Sequence, residues 1–182
     1  DNVAIGYAAL NSNTSGNSNV AVGKDTLQSC TTGANNTALG HGAADAITSA
    51  NQNVAVGADA LGSCQTGSAN VAVGRNSLLN NTNNNNTACG FEALRTNTSG
   101  TNNVGVGRDA LYNNTTADHN VAVGYNTMNA NTTGTKNTAV GSLALDANTT
   151  ANDNTAIGYG ALSDNTTGTK NAAVGSFALD AN

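Results

Sequence analysis

One short pattern of apolar and polar positions repeats along the whole chain. Each copy begins with Asn and reaches a Gly at its fifth position. Between them most copies carry Val or Thr, then Ala, then an aliphatic residue, as in NVAVG at residues 19–23. The copies begin at residues 2, 19, 36, 53, 70, 86, 103, 120, 137, 154 and 171. Every step is 17 residues except the 16-residue step from Asn70 to Asn86. This period predicts a solenoid, in which each unit buries its apolar face against its neighbours.

Within each copy the apolar positions follow a two-residue period, which predicts a strand rather than a helix. We call the set of residues at one repeat position a column. Column four is never polar and column nine is Leu, Met or Ala, as Val22 and Leu27 illustrate, so these two columns are predicted to form the core. Side chains alternate along a strand, so columns two and four share one face and column three points the other way.

Column three is Ala in every copy except Gly105. Because the prediction places this column on the outer face, a row of small side chains there indicates close packing against a partner chain. The residues predicted to make this contact are Ala4, Ala21, Ala38, Ala55, Ala72, Ala88, Ala122, Ala139, Ala156 and Ala173.

Glycine and turn residues predict how each coil closes. Column five is Gly in all copies, from Gly6 to Gly175, which indicates a corner with positive φ or a close backbone approach. Columns twelve to fifteen read NTTG or a close variant, which is typical of turns. Each coil is predicted to contain a strand, the Gly corner, a short second strand around ALx and a polar turn. The prediction is an all-β parallel β-solenoid of eleven coils, a single repeat domain over residues 1–182, roughly 50 Å long.

The phrase NVAVGxxAL followed by NTTG resembles the head repeats of trimeric autotransporter adhesins. It is more similar to the arrays reading NTAIGYxAL…NTTG in bacteriophage tail-fibre proteins, and the resemblance covers all eleven units. It implies a left-handed β-roll, a homotrimer with the Ala column between the chains, and an extracellular location on a cell surface or virion. The predicted partner is therefore the chain itself, in a homotrimer or a filament. Since the chain begins on the last position of one repeat and ends inside another, we expect a segment of a longer fibre protein.

Composition narrows the function classes. Aromatic residues are 3% and charged residues 9% of the chain, which predicts a thin core held by backbone hydrogen bonds. The net charge of −5 argues against nucleic acid, which needs a basic surface. No apolar stretch approaches the eighteen residues of a membrane span, and the first residues lack the features of a signal peptide.

The reactive side chains form no catalytic or metal-binding pattern. Cys89 replaces Val in a predicted core column, where Cys acts as a small apolar residue. Cys30 and Cys64 lie two coils apart in column twelve, beyond the reach of a disulfide. The two His residues occupy different columns. We therefore predict a protein that is not an enzyme and has no cofactor or metal.

Two functions fit this reading. The first is a structural shaft or adhesin segment of an extracellular or viral tail fibre, which gives reach. Its exposed aromatic rings either cover the corner and cap the last coil, which is the interpretation we favour, or stack on a host-surface glycan. The candidate glycan contacts are Tyr125, Tyr159 and Phe177. The alternative is an ice-binding solenoid that uses the Thr ladder of column thirteen. Its residues are Thr14, Thr31, Thr48, Thr82, Thr98, Thr115, Thr132, Thr149 and Thr166.

Overall fold

The computed structural model describes residues 1–180 and contains one three-residue strand in every repeat. The strands are β1 (Val3–Ile5), β2 (Val20–Val22), β3 (Thr37–Leu39), β4 (Val54–Val56), β5 (Val71–Val73), β6 (Thr87–Cys89), β7 (Val104–Val106), β8 (Val121–Val123), β9 (Thr138–Val140), β10 (Thr155–Ile157) and β11 (Ala172–Val174). They form one parallel sheet in sequence order, with equivalent residues of successive repeats paired. This confirms the predicted all-β parallel solenoid, and residues 181–182 of the predicted domain lie outside the described residues.

The 16-residue repeat keeps the register of the sheet. β5 and β6 pair with Val71 opposite Thr87, as the neighbouring strands do. The missing residue is absorbed in the Asn-rich turn, where the Asn70 side chain donates to the carbonyl of Asn83, 13 residues later. In the other coils the same bond spans 14 residues, as from Asn53 to Gly67. A deletion in the turn is tolerated because it does not move a strand residue to the other face.

The interior is built from columns three, eight and nine, so the prediction that column four lies in the core is wrong. The column-nine residues from Leu27 to Leu162 are buried. Column four faces outward, with Leu39 48% and Ile157 41% exposed. A Cβ placed on Gly105 would lie 3.3 Å from Cδ1 of Leu94, so columns three and nine meet directly. A 17-residue coil encloses a narrow space, and one Leu per coil leaves room for Ala but not for Val.

This placement overturns the predicted contact through the Ala column. Ala4 is exposed in the first coil, where no preceding described coil covers it. The other predicted contact residues are all buried within the chain and cannot touch a partner; they are Ala21, Ala38, Ala55, Ala72, Ala88, Ala122, Ala139, Ala156 and Ala173.

The Gly corner is confirmed, whereas the second strand around ALx is not found. The column-five Gly residues have φ between 127° and 144°. Columns seven and nine also have positive φ, as at Asp25 (57°) and Leu27 (49°). A strand requires strongly negative φ, so this part of each coil is a turn. Its backbone still bonds the next coil, for example from the Leu27 N–H to the Ala43 carbonyl at 3.1 Å.

Two columns of buried Asn satisfy the polar backbone at the edges of this thin core. In column one, the Asn103 side chain donates to the Ala117 carbonyl at 2.7 Å and its oxygen accepts the backbone N–H of Asn120 at 3.0 Å. In column twelve, Asn114 donates to the side-chain oxygen of Asn97 in the preceding coil at 2.8 Å. Buried polar groups are costly unless they are paired, and these ladders pair most of them; Asn13 Nδ2 and Asn148 Oδ1, both in column twelve, have no partner. Within residues 1–180 the structure has no helix, and hence none long and apolar enough to cross a membrane.

Candidate functional site

The outer face of the sheet carries two parallel rows of β-branched and aliphatic side chains from columns two and four. We call these outward residues of β1–β11 the sheet face. Several of its members are exposed over more than a third of their surface: Val3, Ile5, Val20, Leu39, Val71, Val140, Ile157 and Val174. The alternation of side chains along a strand would allow either face of the strand to point into the coil. Here the larger side chains of columns two and four point outward, because the interior of the coil is too narrow for them.

The three Cys residues divide between this face and the core. Cys89 is exposed, so the prediction that it lies in the core is wrong, for the same reason that column four faces outward. Cys30 and Cys64 are buried and take the place of Asn in column twelve. The Cys64 thiol donates to the Gly67 carbonyl at 3.3 Å. Burial raises the pKa of the Cys64 thiol to about 11 and also raises the pKa of Cys30.

The Thr ladder of column thirteen is part of the hydrogen-bonded framework. The Thr31 hydroxyl donates to the Thr48 carbonyl of the next coil at 3.1 Å, and the Thr132 hydroxyl donates to the Thr149 carbonyl at 3.0 Å. The hydroxyls of Thr14, Thr48, Thr82, Thr98 and Thr115 make the same bond. These hydroxyl protons are therefore engaged within the chain, in a turn rather than on a strand.

The three aromatic residues predicted to contact a glycan do not form one patch. Tyr159 and Phe177, on neighbouring coils, meet edge to face with their ring centroids 5.2 Å apart. Tyr125 lies two coils before Tyr159, with the guanidinium carbon of Arg108 5.9 Å from its ring centroid. Tyr125 and Tyr159 occupy the same column and are similarly exposed, at 47% and 49%.

A shallow open cleft lies on the coils that begin at residues 86, 103 and 120. We call it the aromatic cleft; it has a volume of about 290 Å³ and is lined by Phe91, Glu92, Arg108, Asp109, Tyr112, Asn113 and Asn129. Sequence reasoning did not find it. The sequence feature that indicates this cleft is a pair of aromatic residues on consecutive coils, Phe91 in column six and Tyr112 in column ten of the next coil.

Cation–aromatic contacts and ion pairs organise the side chains around the cleft. The guanidinium carbon of Arg108 lies 5.5 Å from the Phe91 ring centroid, and Arg108 Nε donates to Asp109 Oδ2 at 2.9 Å. Arg95 lies over the Tyr112 ring at 5.5 Å and donates from Nη1 to the phenol oxygen at 2.6 Å. These contacts hold long side chains in place on an otherwise small-residue surface.

The acidic side of the cleft is also partnered. Asn76 Nδ2 donates to Glu92 Oε1 at 3.0 Å, and Arg95 Nε lies 3.7 Å from the same oxygen. Asn129 Nδ2 donates to the backbone carbonyl of Asp109 at 3.2 Å. Each carboxylate keeps lone pairs that these contacts do not use, because two oxygens offer about four acceptor sites.

Elsewhere the titratable groups are dispersed. His41 lies 4.0 Å from carboxylate oxygens of both Asp25 and Asp59, on the outside of the coil. Burial raises the pKa of the neighbouring Asp45, and the carboxylates of Asp59 and Asp25 raise it further. Among residues 1–180, no group of three or more His, Cys, Asp or Glu side chains is placed to hold a metal ion.

Comparison of the chain with models of protein families, with curated proteins and with solved structures finds no match. The resemblance to tail-fibre and autotransporter repeats therefore rests on the repeat motif itself.

Proposed function

We propose that this chain is a structural shaft segment of an extracellular or viral fibre. The observation that supports this role is the unbroken column-one ladder, in which each Asn backbone N–H from Asn19 to Asn171 donates to the Asn side chain of the preceding coil. Strand pairs and column-thirteen hydroxyls add further bonds between the same coils. Bending or separating two coils breaks several of these bonds together, which gives stiffness.

Small-angle scattering and limited proteolysis of the purified chain test the shaft role. Eleven coils at the parallel-strand spacing of about 4.8 Å make a rod of about 50 Å, so we expect an elongated particle that resists protease. A mixture of two or more enzymes with different cleavage preferences is needed, because the chain has few Lys, Arg and aromatic residues. A compact or expanded particle that is cut within the coils would rule out a rigid shaft.

The shaft assembles with copies of itself through the sheet face rather than through the Ala column. A face about 50 Å long and about 10 Å wide presents roughly 500 Å² of largely apolar surface, near the upper end of what monomers expose. The homotrimer implied by the repeat motif would bury this surface. Light scattering of the wild type and of Val71→Lys, in the fifth strand of the sheet, tests the arrangement. We expect the wild type to associate and the variant to be monomeric, and a monomeric wild type would exclude it.

Ice binding is a second candidate, favoured by the geometry of the same face. Its two rows of methyl-bearing side chains repeat at about 4.8 Å on a rigid sheet, whereas the column-thirteen hydroxyls are bonded to backbone carbonyls. Thermal hysteresis of the wild type separates this candidate from the shaft, which predicts none. If hysteresis occurs, Val71→Lys should abolish it when the sheet face is responsible, and Thr132→Lys should abolish it when the Thr ladder is.

A further inference from the structure

We propose that the aromatic cleft binds one neutral pyranose ring of an oligosaccharide. This inference goes beyond the shaft role and is independent of it, because it concerns side chains on three coils and not the framework that connects them. It differs from the three contacts predicted from sequence, of which Tyr125 alone lies beside the cleft residue Arg108.

The size and openness of the cleft suit a single sugar ring. Its volume of about 290 Å³ lies just below the range for small-molecule sites, about 300–1,000 Å³. The cleft opens along the side of the solenoid, so an oligosaccharide can place one ring in it while the rest of the chain lies in solvent. A monosaccharide-sized site of this kind needs no lid and no movement of the coils.

The aromatic rings offer the apolar half of a sugar site. A ring face carries negative quadrupole charge and attracts weakly positive hydrogens, such as those on the C–H face of a pyranose. Phe91 is 39% exposed, and its ring and that of Tyr112 both line the cleft. Arg108 lies between Phe91 and Tyr125, and Arg95 is bonded to Tyr112, so the rings are held in place before a ligand arrives.

The polar lining offers the other half. Sugar hydroxyls both donate and accept, and the cleft presents acceptors on Glu92 and Asp109 together with amides on Asn113 and Asn129. Hydrogen bonds to ionised groups are roughly twice as strong as bonds between neutral groups. The half-buried positions of these side chains reduce competition from water.

The charge balance selects a neutral sugar over an acidic one. The lining contains two carboxylates and the single guanidinium of Arg108, and that guanidinium is already paired with Asp109. Arg95, the next cation, lies 3.7 Å from Glu92 and is bonded to Tyr112. A carboxylate or sulfate on the sugar would meet this acidic lining in a chain of net charge −5, which disfavours anions.

The repeat itself supplies substitutions that the fold already accepts. Ser142 and Ser176 occupy the column of Phe91, so Phe91→Ser removes the ring without placing a new residue type on the coil. Asn126 occupies the column of Asp109 with φ of 51° against 57°, so Asp109→Asn keeps both shape and backbone. Tyr159→Ser is the matched control, since Tyr159 shares the column of Phe91 but lies outside the cleft.

Isothermal titration calorimetry with cellotriose, maltotriose and N-acetyllactosamine tests the proposal, with sialyllactose as the acidic comparison. We expect at least one neutral oligosaccharide to bind at millimolar or tighter Kd. Phe91→Ser and Asp109→Asn should each weaken binding about tenfold, Tyr159→Ser should leave it unchanged, and all variants should keep the wild-type circular dichroism spectrum.

Three results would overturn the proposal: no heat of binding with any of the neutral probes, binding of sialyllactose alone, or equal loss in Tyr159→Ser and Phe91→Ser. None of them bears on the shaft role, which scattering and proteolysis measure separately. A failed shaft test would likewise leave the sugar titration interpretable, provided that the spectrum of the coils is intact.

Discussion

The backbone N–H of Asn36 donates to the side-chain oxygen of Asn19 in the preceding coil at 2.9 Å. The side-chain nitrogen of Asn36 in turn donates to the Ala50 carbonyl of its own coil at 2.8 Å. The Asn36 side-chain oxygen likewise accepts the backbone N–H of Asn53 at 3.0 Å, so this one side-chain amide both connects two coils and closes the polar turn of its own coil. Gln is too long for this position and Asp has no donor, since the site needs both an acceptor and a donor at fixed reach. This relationship explains why Asn begins every repeat.

Replacing one rung of this ladder should destabilise the whole chain. Asn103→Ala leaves the Asn120 N–H without a partner and removes one of the two bonds to the Ala117 carbonyl, to which Asn114 also donates at 3.2 Å. An unpaired buried group costs about 1–3 kcal/mol, and a lost hydrogen bond costs about 1 kcal/mol. We expect a loss of about 3 kcal/mol in urea unfolding. The control is Asn80→Ala, because column eleven already holds Ala130 and Ala147. Equal stability of the two variants would contradict the ladder argument.

The Gly corner should tolerate a side chain only where no coil stacks on it. A Cβ at Gly57 would lie 2.7 Å from the carbonyl carbon of Gly74, whereas a Cβ at Gly175 meets nothing closer than Ala178 at 3.8 Å. Both residues have φ of 131°, so an Ala at either position has the same local backbone strain. Any difference in stability between the two variants therefore comes from the clash with the next coil. We expect Gly57→Ala to abolish folding and Gly175→Ala to cost only the local strain of its positive φ, about 1–3 kcal/mol, measured by circular dichroism and thermal melting. The clash argument fails if the two variants melt together.

Column seven offers a route to a more stable chain. Leu143 is half-buried with φ of 58°, a conformation that costs most L-residues roughly 1–2 kcal/mol and Asn less. Asn76 and Asn126 already occupy this column. Leu143→Asn should therefore raise stability by about 0.5 kcal/mol, once the lost apolar burial is subtracted.

The comparison for that variant is Leu145→Asn. Leu145 has almost the same φ, 52°, but is fully buried in column nine. Here the change should cost about 2–5 kcal/mol, as large-to-small core substitutions do. Thermal melting of both variants tests this difference. If the melting temperatures of the two variants shift in the same direction by similar amounts, burial does not explain the difference between columns seven and nine.

The three thiols should react at different rates in the folded chain. Cys89 is exposed, and Cys30 and Cys64 are buried. With iodoacetamide at pH 8 we expect one label per folded chain, located on Cys89 by mass spectrometry, and three labels after denaturation. Rapid labelling of Cys64 before unfolding would show that column twelve is open to solvent.

The raised pKa of Cys64 also predicts a loss of stability in base. An unfolded Cys ionises near pH 8.5, whereas burial holds the folded thiol neutral until about pH 11. The unfolded state therefore releases its proton first, so stability is complete below about pH 8.5 and falls as the pH rises towards 11. Cys64→Ile, the residue type that Ile47 places in this column, should remove part of that decline in urea unfolding at pH 7 and pH 10. An unchanged pH dependence would assign the decline to other groups.

The solenoid could be predicted from the repeat because the residue type kept in each column indicates the local backbone conformation or hydrogen bonding at that position. A constant Gly signals a conformation that other residues resist, a constant Asn signals paired buried amides, and a constant 17-residue step forces equivalent residues to stack. These requirements concern neighbouring coils, so comparison of the copies with one another was sufficient. They do not determine the width of the coil, because that width depends on the conformation of all 17 residues of the repeat together.

The sequence by itself determined the all-β class, the parallel stacking, the Gly corner and the strand in each repeat, since all of these follow from periodicity and backbone preference. Only the tertiary structure decided which strand face lies inside. The space that the coil encloses holds Ala21 beside Leu27 but is too small to hold Val22 as well. Val22 therefore lies on the outer face of the strand, although it is more hydrophobic than Ala21. The aromatic cleft likewise needed the fold. Phe91 and Tyr112 are 21 residues apart in the chain, but both line this cleft because consecutive coils stack at the spacing of a β-sheet.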